Sequence, residues 1–229
     1  MQIKQTWKYL DQDGRIIALD VRLEKEGERK VPLTFWYDGR SLRFAKAPVC
    51  IYNLPDAMAT DKPLIINEGA KPADAAKALT EFTPVSWSGG ANKANKADWS
   101  ALKNKEGYII PDDDHKTNSI GRELPLEQQP GMKAALQIQH KNKHWKIVLP
   151  PPDLVSIKND GGDMVEWLQL MNPHEVTEYI LNPENHYKSE KSEIPAIPSE
   201  PKTLSDIRPF KILGIDSDGK ANFVTHNGR

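Results

Sequence analysis

Cysteine is nearly absent from this sequence: Cys50 stands alone among 229 residues. A single thiol excludes an intramolecular disulfide framework and any multi-cysteine zinc site. It fits a reducing compartment. An excess of one charge is also missing, since 31 Lys and Arg face 32 Asp and Glu for a formal net charge of -1. No global basic field therefore marks the chain for nucleic acid. That balance leaves room for an enzyme that meets phosphates through metal ions and a few local lysines. Aromatics make up only 7% and hydrophobic residues 38%, enough for a core but with stretches left unpacked. No apolar run reaches membrane-spanning length, and Met1–Gln5 has none of the apolar character of a signal peptide. The expectation is a soluble cytoplasmic protein with no membrane partner. No G-x-x-x-x-G-K-[ST] loop occurs, so no P-loop motor lies within the chain, and there is no internal repeat.

What is present changes character along the chain. Residues 1–58 read as a β-rich lobe of strands and turns. Asp13-Gly14 is a hairpin signal between Trp7–Leu10 and Ile16–Leu23, and a second pair of strands flanks Gly27 or Asp38-Gly39. Between 59 and 182, short apolar strands alternate with helices. Leu64–Ile66 leads into an alanine-rich helix over 70–79, with Pro72 in its first turn, where a missing N–H costs little. Val85–Trp87, Tyr108–Ile110 and Trp145–Leu149 are further strands. Residues 96–103 fit helix or turn, and 132–141 fit a helix. Asn172-Pro173-His174-Glu175 has the residues of a capped helix start. Such alternation predicts an α/β fold with a Rossmann-like, mainly parallel sheet covered on both faces, preceded by the small antiparallel lobe. Residues 183–208, broken by Pro195, Pro198 and Pro201, have linker composition, and 209–229 read as the start of a following module or a tail.

The chemistry concentrates at strand ends. Glu68 follows Leu64–Ile66, and Asp112 and Asp114 follow Tyr108–Ile110. The carboxyl ends of parallel strands are where open α/β sheets bind ligands. If the chain stays extended, Asp112 and Asp114 point the same way while Asp113 points elsewhere. Clustered carboxylates repel, and a hard cation such as Mg²⁺ (or Mn²⁺) is the natural compensation. It would serve phosphoryl transfer, with Glu68 as ligand or as general acid/base. By itself Asp112–Asp114 also fits a solvated turn.

These residues resemble a known pattern. Leu64-Ile65-Ile66-Asn67-Glu68-Gly69-Ala70-Lys71 is similar to the strand and E-G-E-K segment of Toprim (topoisomerase-primase) domains of the phage and plasmid primase-helicase type. Ser86–Ala91, Lys96–Leu102, Pro111-Asp112-Asp113-Asp114 and Asp163–Leu168 resemble later segments of that family in order, and the likeness spans roughly 7–181. The resemblance implies primase-like nucleotidyl transfer on single-stranded DNA with Mg²⁺, in a phage or plasmid replication protein of a bacterial host cell. It implies nucleotides and a template as partners, and a helicase, fused or separate. It makes Glu68, Asp112 and Asp114 catalytic and metal-binding, with Asp163 an outer acidic partner. Two departures stand out: Ala70 replaces the second glutamate, and no glycine follows Asp114 within three positions.

Lys71, the backbone of Gly89 and Gly90, Lys93 and Lys96 face the same edge as phosphate contacts, or are a strand-exit turn and solvated lysines. Arg22 and Lys30 in the lobe would line a template groove. His140 and His144 sit among lysines and read as surface residues. Cys50, Trp87, Trp99 and Trp167 read as packing. A metal-dependent DNA nuclease or nickase and a non-catalytic nucleic-acid-binding or docking module are the competing functions. DNA cleavage without nucleotides separates the first, and metal-independent, salt-dependent binding the second.

Overall fold

The computed structural model describes residues 2–24, 31–44, 47–156 and 162–188, and the backbone of 210–215 and 221–225. The chain divides into two units, Met1–Lys188 and Ser189–Arg229. In the second unit the described residues form one antiparallel hairpin.

The first unit opens with an antiparallel sheet, β1 (Gln2–Leu10), β2 (Ile16–Glu24), β3 (Val31–Tyr37) and β4 (Leu42–Phe44), paired in that order. The first turn forms where Asp13-Gly14 predicts it. The Asp11 carboxylate accepts the amides of Asp13 and Arg15, and Gly14 takes the positive φ of 79°. The β3–β4 turn repeats the device, with Asp38 accepting from Arg40 and Ser41. The alternative hairpin signal at Gly27 lies outside the described residues, although β2 and β3 do pair antiparallel.

A second sheet holds β5 (Ile51–Tyr52), β6 (Leu64–Asn67), β7 (Thr83–Trp87), β8 (Gly107–Ile110) and β9 (Lys146–Ile147) in the order β5-β7-β6-β8-β9. All pairings are parallel except β5 with β7. The fold is thus the expected Rossmann-like, mainly parallel sheet with an antiparallel lobe before it. Burial on both faces explains why β6 is continuously apolar. Ile66 packs with Val85, Trp87, Ile109, Trp145 and the helix α3 (Pro130–Lys141). Its neighbour Ile65 points the other way, toward α4 (Met164–Leu170) and α5 (Pro173–Leu181), through Trp167, Val176 and Ile180.

Some local structure differs from the sequence expectation. A short helix α1 (Leu54–Ala59) and β5 fall within the first 58 residues, yet β5 pairs with β7 of the second sheet, and both elements also touch β1 of the lobe. The expected 70–79 helix is α only over α2 (Ala70–Ala75) and tightens to 3₁₀ over Ala76–Ala78. Residues 96–103 are neither one helix nor one turn: 3₁₀ segments cover Ala91–Lys96 and Ser100–Leu102. The expected strand 145–149 is regular only at β9. The rest of that edge is extended by the backbone of 185–187, with Leu149 donating to Asn185 and Tyr187 to Ile147. Residues 183–188 are therefore packed on the sheet, while 189–208 of the expected linker lie outside the described residues. In α5, Asn172 and Glu175 form the reciprocal capping box that their spacing predicts.

The lobe docks on the second sheet through one carboxylate. Asp74 on α2 accepts from Trp7 Nε1 of β1 at 2.8 Å and from the Tyr52 hydroxyl of β5 at 2.6 Å, and pairs with Lys77 at 2.7 Å. Around it Trp7, Tyr9, Ala18, Cys50 and Ala70 form a small shared core.

In the second unit, β10 (Phe210–Ile215) and β11 (Ala221–Thr225) pair antiparallel with an irregularity between Ile212 and Gly214. Among the described residues no helix is long and apolar enough to cross a membrane.

Candidate functional site

The parallel register sets the site. Asn67 ends β6 opposite Ile110 at the end of β8, so Glu68 leaves the sheet beside the chain that continues to Asp112. Adjacent strands lie roughly 4.8 Å apart, which leaves little room between the two acidic segments. Glu68 is largely withdrawn from water. Burial, opposed by a hydrogen bond from the Ala91 amide at 2.8 Å and reinforced by the nearby charge of Asp114, raises its pKa to about 7. The Ala91 donor exists because Gly90, at φ 72°, turns the chain back over the β6 end.

Asp114 is brought to Glu68, but not by strand alternation. Its amide donates to the Asp112 carbonyl at 3.1 Å, closing a three-residue turn, so the segment is not extended. Its carboxylate instead accepts the amide of Gly131 at 2.7 Å, and Lys116 stands 3.9 Å from the other oxygen. Gly131, seventeen positions on at the start of α3, also closes on this loop, and a Cβ there would collide with the Asp112 carbonyl oxygen. Only glycine admits that approach.

Asp163 caps α4, accepting from Val165 at 2.7 Å, with Glu166 returning the bond to the Asp163 amide. It also pairs with Lys71 at 3.3 Å. Burial, more than its neighbours, raises its pKa. The backbone of Gly162 exchanges two hydrogen bonds with Asp113, which brings this cap alongside the acidic loop.

Glu68, Gly69, Lys71, Gly89 and Gly90 line one side of a cleft of about 620 Å³, and Trp7, Asp20, Arg22 and Thr34 of the lobe line the other. Asp20 is held there by Tyr9 and Thr34, each at 2.6 Å. Lys93 folds over Gly89 beside this edge. Lys96 does not line it: it borders a separate depression with Asp98, Lys103 and Lys141, one 3₁₀ turn further along the chain than Lys93. Lys30 lies outside the described residues. His140 and His144 are exposed, and the Trp87, Trp99 and Trp167 rings are buried, as their patterns predict. Cys50 is buried, which pushes its thiol up to about 11 and leaves it a packing residue.

No group of three or more His, Cys, Asp or Glu among the described residues is arranged to hold a metal ion. Glu68 and Asp114 each have one oxygen committed to a backbone amide and a second that is not. Two hard oxygen donors, one of them held half-protonated near neutrality by burial and further by the charge of the other, suit Mg²⁺, which takes one or two carboxylates and completes its shell with water and phosphate. They do not make an all-protein cage.

Sequence reasoning missed Ala91, Gly131, Asp20 and Asp74, because each acts through a contact distant in sequence. A glycine directly before the helix expected over 132–141 was the one visible signal, at Gly131.

No protein-family model and no curated protein sequence matches the chain. Among solved structures it is similar to the primase fragment of the bacteriophage T7 primase-helicase protein, at 15% identity and a TM-score of 0.51, over 77% of this chain and 61% of that one. It also matches the Aquifex aeolicus primase (zinc-binding and RNA polymerase domains) at 17% identity and a TM-score of 0.48, over 76% of this chain and 39% of that one. A third match is a DnaG primase catalytic domain bound to single-stranded DNA, at 14% and 0.48, over 79% and 51%. The likeness to the T7 fragment defines a primase-like fold. This chain spans 61% of that fragment's length.

Proposed function

We propose that the chain is a Toprim-type core for nucleotidyl transfer on single-stranded DNA, within a phage or plasmid replication protein that works with a helicase, fused or separate. The observation that carries this reading is the meeting of Glu68 and Asp114 at adjacent strand ends on the rim of a cleft shared with the lobe. Asp112 and Asp114 would hold Mg²⁺ or Mn²⁺, with Glu68 beside them and Asp163 as an outer carboxylate. The ion, when bound, supplies polarisation of a phosphate oxygen and neutralises developing charge.

The chain's own groups do the rest. Glu68, with a pKa of about 7, is poised to accept a proton from an attacking hydroxyl at physiological pH. Lys71, steered into the cleft by Asp163, and Arg22 across from it contact phosphates. The turn at Gly89 and Gly90 lets a strand approach the backbone closely, and Lys93 adds a cation beside it. Lys30 is a template contact on the sequence reading alone, and Lys96 would serve only a strand that runs on past the edge.

The test is template-directed primer synthesis on single-stranded DNA with Mg²⁺ and nucleotides. Wild type should make metal-dependent product, and Glu68→Gln and Asp114→Asn should each lose at least about a hundredfold. Full activity in either variant, or cleavage of plasmid with Mn²⁺ and no synthesis, defeats the proposal.

A further inference from the structure

The chain between Asp114 and Gly131 is an excursion whose ends already meet. Gly131 donates to Asp114 at 2.7 Å, so the acidic loop and α3 are joined without it. Yet the excursion is built. Thr117 and Glu123 form an antiparallel bridge, and Leu124 donates to the Lys116 carbonyl at 2.8 Å. Gln129, only 4% exposed, clamps both arms, accepting from the Lys116 amide and donating to the carbonyls of Lys116 and Leu124. At the tip the Asn118 side chain accepts the amides of Ile120 and Arg122, both at 3.0 Å. The result is a firmly tied hairpin that presents Ile120 at 82% exposure.

Its charges are sorted. Glu123 turns back to His115 at 2.7 Å, and Glu127 accepts from the Tyr187 hydroxyl at 3.2 Å. Lys116 leans toward Asp114. Arg122 is exposed at the tip beside Ile120, and among the described residues no salt bridge holds it. An apolar side chain on a fixed turn, next to an available guanidinium, is the chemistry that meets bases and phosphate together.

We infer that residues 115–129 form a finger that grips the nucleic-acid strand served by the acidic edge, with Ile120 against the bases and Arg122 on a phosphate. This rests on the nucleic-acid reading of the site. The finger begins one residue after Asp114, so its base is rooted at the acidic edge.

The experiment uses the full chain and a labelled single-stranded oligonucleotide, with binding followed by fluorescence anisotropy over a range of salt. Ile120→Ser combined with Arg122→Gln should weaken binding about tenfold. Arg122→Gln alone should flatten the slope of log affinity against log salt by about 0.7, and Arg122→Lys should restore it. Unchanged affinity and slope in the variants, or a lysine that behaves like glutamine, overturns the finger. No wild-type binding overturns it together with the proposed function. Product made equally by wild type and the double variant removes the finger and keeps the function. Finger-dependent binding with no product keeps the finger and removes the chemistry.

Discussion

The Gly131 amide donates to the Asp114 carboxylate at 2.7 Å while the Asp112 carbonyl sits where a Gly131 Cβ would be. One residue at the start of α3 thereby fixes the acidic loop in two ways, by a bond and by a lack of bulk. Gly131→Ala should therefore behave against helix propensity. On an open helix the change would stabilise by about 1 kcal/mol. Here the forced shift of Asp112 should cost on the order of 1–3 kcal/mol, read as a lower midpoint in urea unfolding, with loss of activity at temperatures where the protein remains folded. A stabilised variant would refute this account of the loop.

Glu68 gives the site a pH signature. Its folded pKa of about 7 lies above the ordinary 4.5, so the folded state binds the extra proton. Glu68's contribution to stability is greatest below about 4.5 and is lost as pH rises through about 7. Melting in EDTA should show this decline, and Glu68→Gln should remove it and melt several degrees higher at pH 8, at roughly 2–4 °C per kcal/mol. Mg²⁺ added at pH 8 should raise the wild-type melting temperature and leave that of Asp114→Asn nearly unchanged.

Asp74 joins lobe to sheet, and its pKa shows it. Burial pushes it up, but the hydrogen bonds of Lys77, Tyr52 and Trp7 outweigh burial and hold it below the ordinary carboxylate range. Its contribution is full above that range and is lost as pH falls through the depressed value. Asp74→Ala strands two partly buried donors and should cost on the order of 2–3 kcal/mol, measured by urea unfolding. It should also raise hydrogen exchange at the Trp7 and Tyr52 amides. Exchange unchanged in β1 would mean that the lobe docks by other contacts.

Gln129→Ala should open the hairpin without unfolding the protein. Three hydrogen bonds tie this nearly buried amide to Lys116 and Leu124, and none of them reaches the sheet. Limited proteolysis should cut the variant at 117–123 at least several times faster than wild type, with a melting temperature within a few degrees. Equal cleavage rates would show that the bridge and turn suffice to hold the hairpin.

The strands were legible because their chemistry is local. Leu64–Ile66 and Tyr108–Ile110 are short and wholly apolar, as strands buried on both faces must be, and Asp13-Gly14 and Asn172–Glu175 carry their own turn and cap. Helix ends were less legible. Nothing in Ala76–Ala78 marks the change to 3₁₀, which depends on how Leu79 and Phe82 enter the core. α1 went unread because Asn53 precedes it in a left-handed conformation, φ 61°, held by a side-chain bond to the distant Pro84 carbonyl.

Strand period and strand ends are written in neighbouring residues, so the parallel sheet, its covered faces and the delivery of Glu68 and the Asp112–Asp114 segment to one edge follow from local sequence. How those carboxylates are held follows only from the folded chain. The three-residue turn at Asp114, the Ala91 amide on Glu68, the Lys71 partner of Asp163 and the return of Gly131 to the acidic loop are contacts between residues far apart in the chain, and no local pattern encodes a contact whose two halves meet only after folding.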